Sequence, residues 1–292
     1  MENERKRPDY RDCDGFLIPG PFSEEAFRSA VNYKPKSGEL FTVSYPKCGS
    51  TWMKQIIILI FGRGQLSDKL SEINYPFLDL TGTDAMDYIS GDGAIKTHLP
   101  FNLAQYSPSA KYIYIARNPR DLCVSFYHHT KDGRFYNFSD GIFDEYFKLF
   151  INGKTDYGDY FDHLLSWYEH KDEPNILFTT YENLKLNGIN EILKIAKFIG
   201  DEHYNAIIDN TNVLENILKF SSFEYMKNTK TDLMKNASEN LFNMYRGMNL
   251  IPPWKNIGDW KNHFSPEQEK RMEERIKEKT ANSDVMSLWK NI

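Results

Sequence analysis

Short apolar runs alternate with segments of helical period along the chain. Four runs rich in β-branched and aromatic residues predict buried strands, and they span residues 40–45, 94–98, 112–116 and 176–181. Apolar positions at helical spacing predict helices at residues 50–61, 122–129, 143–150, 160–169 and 188–199. Strands separated by helices form a parallel sheet with crossover connections. The pattern therefore predicts an α/β fold in which helices flank a central parallel sheet.

The two ends of the chain carry weaker signals. Residues 1–20 are polar and charged enough to predict an N-terminal tail, and a short helix is expected at residues 22–31. The last predicted helix, at residues 266–280, can be capped by Ser265 and Gln268. No linker, repeat or low-complexity tract interrupts residues 21–292, which we therefore expect to form a single domain.

The turn between the first strand and the first long helix carries the clearest chemical signal. Residues 45–52 read Y-P-K-C-G-S-T-W. A strand that enters a helix through glycine and hydroxyl residues presents backbone N–H groups to an anion. The lysine precedes the glycine here, whereas in a Walker A loop it follows the last glycine. The turn is either a P-loop-like cradle for phosphate or sulfate or an ordinary capped turn.

Composition narrows the classes of partner. The 292 residues contain 36 Lys and Arg against 41 Asp and Glu, for a net charge of −5, which does not favour a nucleic-acid or membrane-surface binder. The longest apolar run, residues 56–61, is too short to cross a bilayer. The three cysteines lack metal or redox spacing and residues 1–12 lack the apolar core of a signal peptide, so a cytoplasmic protein is expected.

Four segments in order resemble the cytosolic sulfotransferase family. They are the turn at 45–52, K-T-H-L-P at 96–100, A-R-N-P-R-D-L-C-V-S at 116–125 and G-D-W-K-N at 258–262. Members of that family transfer a sulfuryl group from 3′-phosphoadenosine 5′-phosphosulfate (PAPS) to a hydroxyl or an amine. The resemblance covers residues 41–264.

The resemblance implies a role for each matching residue. His98 would be the general base, Lys47 would stabilise the leaving phosphate, and Lys96 would hold the sulfuryl oxygens. Arg117 and Ser125 would bind the 3′-phosphate, and Ser125 would also restrain Lys47. The 5′-phosphosulfate loop would comprise Lys47, Cys48, Gly49, Ser50, Thr51 and Trp52, and the remaining nucleotide contacts would come from Tyr181, Ser221 and Phe223. No metal is predicted.

Two expected motifs depart from the family pattern. The basic R-K-G before G-D-W-K-N is missing, so either Arg246 and Gly247 or Lys255 would supply the further 3′-phosphate contact. The dimer motif is degraded around residues 261–270, so a homodimer is possible but its usual signal is weak.

The acceptor is expected to be a small molecule that carries a hydroxyl. The resemblance places aromatic side chains around it, and the candidates are Phe22, Phe77, Phe135, Tyr136, Phe138 and Tyr157. Asp132 near the expected mouth would pair with a cationic amine, which favours a phenol or a phenolic monoamine such as dopamine. A steroid or aliphatic alcohol is the alternative acceptor.

Two other classes fit part of the pattern. A small-molecule kinase would use the cradle with ATP and Mg²⁺ but leaves K-T-H-L-P without a role. A non-catalytic adenine-nucleotide-binding protein would need the cradle but not His98.

Overall fold

Four parallel strands form the central sheet of the computed structural model, which describes residues 7–66, 75–88, 93–229 and 256–290. The strands are β3 Leu40–Ser44, β4 Ile95–Thr97, β5 Lys111–Ala116 and β6 Ile176–Thr180. They lie in the order β4–β3–β5–β6. All four coincide with strands that the sequence predicts, within two residues at each end, and the α/β prediction is confirmed.

The strand register brings the carboxyl ends of the sheet to one edge. Val43 pairs with Thr97, Ser44 with Ile115, and Ala116 with Thr180. Residues that follow these positions therefore emerge side by side, at the edge where open α/β sheets bind their ligands.

Helices cover both faces of the sheet. Their bounds are α1 Glu24–Val31, α2 Ser50–Phe61, α3 Leu78–Thr81, α4 Pro119–Asp132, α5 Phe143–Ile151, α6 Tyr160–Tyr168, α7 Tyr181–Leu186, α8 Gly188–Ile199, α9 Asp201–Asp209, α10 Thr211–Phe220, α11 Phe223–Asn228 and α12 Pro266–Lys279. Short 3₁₀ segments lie at Thr83–Tyr88, Arg134–Tyr136, Asp259–Asn262 and Val285–Trp289. The capping box predicted for α12 is present, since Ser265 and Gln268 exchange hydrogen bonds.

The side chains of alternate β5 residues pack into two separate hydrophobic cores. Tyr112 and Tyr114 belong to an aromatic core, while Ile113 and Ile115 belong to an aliphatic core that includes residues of α2 and α8. A strand that is buried on both faces is expected to be apolar throughout, which explains why β5 reads as a continuous apolar run.

The N-terminal segment corrects one prediction. Residues 10–19, which we expected to lie in a polar tail, form a hairpin of β1 (Tyr10–Cys13) and β2 (Phe16–Pro19). Asp14 and Gly15 both have positive φ, as the tightest hairpin turns require. The hairpin packs inward, because Ile18 is 0 % exposed and belongs to the aromatic core. Because the hairpin also carries charged residues, a prediction from composition does not detect its apolar side.

No helix in the described ranges combines the length and the apolar character that a bilayer span requires.

The packing of the hairpin is tested by replacing Ile18. We expect Ile18→Ala to lower the free energy of unfolding by about 2 to 4 kcal/mol, because the cavity would lie in a closed core. Urea denaturation measures the change. Ile189→Ala, at a residue that is 50 % exposed, is the matched control and should stay within about 0.5 kcal/mol of the parent protein. Equal effects of the two substitutions would show that the hairpin does not pack on the core.

Candidate active site

The turn from β3 to α2 adopts an unusual backbone that suits an anion. Lys47 has a φ of 69° and Gly49, which precedes the first residue of α2, has a φ of 111°. A Cβ on Gly49 would also lie 3.1 Å from the ring of Tyr181. Glycine is therefore required here for both conformation and space. The turn leaves the N-terminal N–H groups of α2 available to a ligand.

Tyr45 anchors the start of this turn. Its hydroxyl lies 2.7 Å from the Thr155 hydroxyl and donates to the Gly158 carbonyl at 2.8 Å. Tyr45 is 0 % exposed, so these bonds are protected from water. The turn is thus fixed to the segment between α5 and α6, a link that the motif itself did not indicate.

Arg117 connects the end of β5 to the same turn. Its guanidinium donates to the Lys47 carbonyl at 3.1 Å and lies 4.5 Å from the ring centre of Tyr181. The Tyr160 hydroxyl donates to the Arg117 carbonyl at 2.5 Å and fixes its backbone. Arg117 is 5 % exposed. A buried cation therefore lies directly beside the cradle.

Trp52 and Ser125 carry buried polar atoms that have no hydrogen-bond partner among the described residues. The Trp52 ring centre lies 5.5 Å from that of Tyr181, and its indole N–H is buried without a partner in the described part of the chain. Ser125, in α4, is 1 % exposed, and its hydroxyl likewise has no hydrogen bond within these ranges. Unsatisfied buried polar groups are uncommon, and they mark positions where a ligand or water bonds.

His98 follows β4 and is held in one tautomer. Its Nδ1 lies 2.5 Å from the Ser44 carbonyl oxygen. A carbonyl only accepts, so Nδ1 carries the proton and Nε2 keeps its lone pair. Burial, and next the charge of Lys96, hold the pKa of His98 well below its ordinary value. The ring is therefore neutral near pH 7 and can accept a proton at Nε2.

Two residues that sequence reasoning missed fix the backbone of His98. Asp79 accepts from the His98 N–H at 2.7 Å and from the Thr97 hydroxyl at 2.6 Å. Burial raises the pKa of Asp79 to about 6. On the other side, His163 Nε2 donates to the His98 carbonyl at 3.0 Å. Neither residue lies in a recognisable motif, so only the packing of α3 and α6 against the sheet shows their role.

Lys96 lies beside the same histidine on β4. Its Nζ is 3.9 Å from the ring centre of Phe77, and a backbone bridge pairs the two residues. Burial lowers the pKa of Lys96 to about 8, with Asp79 opposing and Lys54 reinforcing the shift. Lys96 therefore keeps its charge near neutral pH but loses it in mildly alkaline solution.

An aromatic group surrounds His98. The Phe77 and Tyr157 ring centres lie 5.1 and 5.3 Å from the imidazole, both edge to face, and Phe22 packs on Phe77 at 5.8 Å. Three of the predicted acceptor-binding aromatics thus meet at the candidate base. Phe138 instead packs on Tyr146, with the two ring centres 6.3 Å apart.

Several other residues predicted to bind the nucleotide or the acceptor do not belong to the aromatic group around His98. Asp132 is exposed at the end of α4. Cys48 is buried, and burial raises its thiol pKa well above the ordinary value. Ser221 donates its hydroxyl to the Ile217 carbonyl at 2.6 Å, and Phe223 begins α11. Arg246, Gly247 and Lys255 lie outside the described residues.

The late G-D-W-K-N segment packs against the first turn of α4. Asp121 accepts from the N–H groups of Gly258 at 2.7 Å and Trp260 at 3.0 Å. The Arg120 guanidinium also lies 5.4 Å from the ring centre of Trp260. The motif therefore stabilises the helix that carries Ser125. No group of three His, Cys, Asp or Glu side chains within the described ranges is arranged to hold a metal.

Comparison with known proteins places this geometry in a family. The chain matches the sulfotransferase domain over residues 37–284. It is 29 % identical to human sulfotransferase 1C2 over 94 % of both chains, and 31 % identical to rat sulfotransferase 1C2 over 87 % of this chain and 86 % of the relative. Among solved structures, mouse sulfotransferase SULT7A1 complexed with PAP superimposes with a TM-score of 0.77 at 28 % identity, covering 96 % of this chain and 97 % of that one. Retinol dehydratase, at 19 % identity, shares the fold with a TM-score of 0.74. The match over most of the chain shows that this protein belongs to the sulfotransferase domain family.

Proposed function

We propose that this protein is a PAPS-dependent sulfotransferase that acts on the hydroxyl of a phenol or a phenolic monoamine. The observation that carries the proposal is the tautomer of His98. Its Nδ1–H is committed to the Ser44 carbonyl, which leaves Nε2 as a neutral base beside Lys96. A base held next to cationic groups that can neutralise a sulfuryl donor is what such a transfer needs.

The cradle and its neighbours fit the nucleotide donor. Backbone N–H groups at the start of α2 suit the 5′-phosphosulfate, while Arg117 and Ser125 suit a second phosphate. Among the described residues, the buried Ser125 hydroxyl and the Trp52 indole N–H have no hydrogen-bond partner, and a bound nucleotide would supply polar atoms to both regions. The similar mouse structure was determined with PAP.

Different residues would carry out different parts of the transfer reaction. When bound, PAPS supplies the sulfuryl group and leaves 3′-phosphoadenosine 5′-phosphate as product. His98 Nε2 takes the proton of the acceptor hydroxyl, so that the oxygen becomes a nucleophile. Lys96 would hold sulfuryl oxygens, and Lys47 would offset the charge that develops on the leaving phosphate. Asp79 and His163 orient the backbone of His98.

The aromatic group around His98 supports a phenolic acceptor. Phe22, Phe77 and Tyr157 provide flat apolar surface next to the base. An aromatic ring packs well edge to face or offset against such side chains. A phenol can therefore rest on these rings with its hydroxyl at Nε2.

We also propose that the protein acts in the cytosol. Cys13, Cys48 and Cys123 are all buried and unpaired. Free thiols of this kind suit a reducing compartment.

Replacing His98 tests its role as base. We expect His98→Ala to lower kcat for sulfuryl transfer from PAPS to 4-ethylphenol, whose hydroxyl stays protonated near pH 7, by about 100-fold or more, because general base catalysis contributes on this order. Labelled PAPS in the presence of EDTA provides the assay, and calorimetry with PAP checks that the nucleotide site is intact. His170→Gln, at a histidine outside the site, is the control. Full activity of His98→Ala would contradict the assignment.

Lys96 should set an alkaline limit to activity. Because the pKa of Lys96 is lowered to about 8, kcat/KM should fall above that pH as the ammonium loses its proton. Arginine stays charged at any such pH, so Lys96→Arg should remove the alkaline fall even if it lowers the maximal rate.

The pH profile is measured with an acceptor whose hydroxyl does not titrate in that range. The exposed Lys197→Arg variant is the control and should retain the parent profile. An unchanged alkaline limb in Lys96→Arg would assign the fall to another group.

Ser125 should discriminate nucleotides that carry a 3′-phosphate. We expect Ser125→Ala to raise the Kd of PAP about 10- to 100-fold, since a hydrogen bond to a charged group is worth about 1.5 to 3 kcal/mol. The Kd of adenosine 5′-phosphate, which lacks the 3′-phosphate, should change less than about twofold. Isothermal titration calorimetry measures both, with the exposed Ser109→Ala as control. Equal weakening of both nucleotides would place the Ser125 contact elsewhere.

A further inference from the structure

A buried carboxylate on α7 holds the peptide group that follows Arg117. Glu182 is 0 % exposed and is the second residue of that helix. Its Oε1 accepts from the Asn118 N–H at 2.9 Å. The carbonyl of the same peptide group belongs to Arg117 and accepts from the Tyr160 hydroxyl at 2.5 Å. Buried side chains therefore fix both polar atoms of the peptide that joins Arg117 to Asn118.

The other oxygen of Glu182 binds the C-terminal segment of the chain. Oε2 accepts from the indole N–H of Trp289 at 2.8 Å. Trp289 is 5 % exposed and is the last residue of the 3₁₀ segment Val285–Trp289, whose first residue is 0 % exposed. The carboxylate thus connects the end of the described chain to the start of α4. Neither Glu182 nor Trp289 was among the site residues predicted from the sequence.

Glu182 also interacts with the charge of Arg117. Burial raises the pKa of Glu182, and the hydrogen bonds from Asn118 and Trp289, together with the charge of Arg117, oppose the rise. These contacts favour the charged form of the carboxylate. Hydrogen bonds to an ionised group are roughly twice as strong as those between neutral groups. Glu182 is therefore well suited to hold the peptide group in one position.

The held peptide group positions two parts of the nucleotide site. On one side, the Arg117 guanidinium donates to the Lys47 carbonyl of the cradle at 3.1 Å. On the other side, Asn118 caps α4, since its Oδ1 accepts from the Arg120 N–H at 3.0 Å. Ser125 lies on the same helix, less than two turns further on. A displacement of this peptide group would therefore move Arg117 and the start of α4 together.

Tyr181 provides a second route from α7 to Arg117. Its ring centre lies 4.5 Å from the Arg117 guanidinium carbon and 5.5 Å from the ring centre of Trp52. Tyr181 and Glu182 are consecutive residues, so a shift at the start of α7 would reach the guanidinium through the ring as well as through the peptide group.

We propose that Glu182 is a positioning residue for nucleotide binding and that Trp289 acts through it. In this assignment Glu182 does not touch the ligand, but it sets where Arg117 and Ser125 meet the 3′-phosphate. The inference rests on the proposed function, which takes Arg117 and Ser125 as ligands of that phosphate. It deepens the proposal, because it makes the affinity for nucleotides with a 3′-phosphate depend on the C-terminal segment.

Replacing Trp289 tests this dependence. Trp289→Phe keeps an aromatic ring in the core but removes the N–H that fixes Glu182. We expect the Kd of PAP to rise about threefold to tenfold, and the Kd of adenosine 5′-phosphate to change less than about twofold. Isothermal titration calorimetry measures both values. A loss of stability alone would not change the ratio between them.

Tyr168→Phe is the matched control. The Tyr168 hydroxyl donates to Asp284 at 3.1 Å and so anchors the same end of the chain at a different residue. This variant should leave both Kd values within about twofold of the parent protein. Equal weakening of PAP by Tyr168→Phe and Trp289→Phe would assign the effect to docking of the segment as a whole and would overturn the role of Glu182.

A double-mutant cycle tests whether Trp289 acts through Glu182. Glu182→Gln keeps the size of the side chain, but its amide has one oxygen for two donors and no charge. We expect Glu182→Gln to raise the Kd of PAP about tenfold, with the same selectivity over adenosine 5′-phosphate. In that background Trp289→Phe should add less than about twofold. Effects that multiply independently would contradict the coupling.

Binding without turnover distinguishes this inference from the proposed function. Selective weakening of PAP by Trp289→Phe and Glu182→Gln supports the positioning role even if the parent protein transfers no sulfuryl group. If Ser125→Ala weakens PAP while neither Trp289→Phe nor Glu182→Gln does, the inference fails and the proposed nucleotide site stands.

Discussion

The candidate site depends on the parallel register of the sheet. Because β3, β4 and β5 run in the same direction and end at one edge, the residues that follow them emerge together. The β3 end leads into the cradle, the β4 end carries His98, and the β5 end carries Arg117. Segments far apart in the chain thus meet without a long loop to bring them there. A shift of one residue in the pairing would turn each of these side chains to the opposite face.

The buried polar groups near that edge form a connected arrangement rather than isolated pairs. Ser44 fixes the tautomer of His98, while Asp79 and His163 fix its backbone. Each of these groups is almost fully buried, so its hydrogen bonds are stronger than they would be in water. The orientation of the imidazole is therefore built into the folded protein before any ligand binds. Preorganisation of this kind lowers the cost of reaching a transition state.

Sequence reasoning identified the parts of the candidate site whose residues lie in a recognisable local sequence pattern. The cradle, His98 and Arg117 each follow a short apolar strand and lie in a distinctive string of residues, so their secondary structure and their position at the end of the sheet were predictable. Asp79 was not, because its role arises from the packing of a one-turn helix on β4. The Asp14-Gly15 pair is a typical turn sequence of a two-residue hairpin, and a prediction that rests on the charge of the segment does not use it.

The hairpin has a consequence for how acceptor range can diverge in this family. The Tyr157 N–H donates to the Leu17 carbonyl at 2.8 Å, and the Asp9 N–H donates to the Tyr136 carbonyl at 2.8 Å. The N-terminal segment therefore supports the backbone of two residues predicted to surround the acceptor, although the sulfotransferase domain match begins only at residue 37. Two paralogues with equally good domain matches can thus differ in acceptor choice through residues that the domain boundary excludes. Chimaeras that exchange only the matched domain would carry the chemistry of one parent and part of the selectivity of the other.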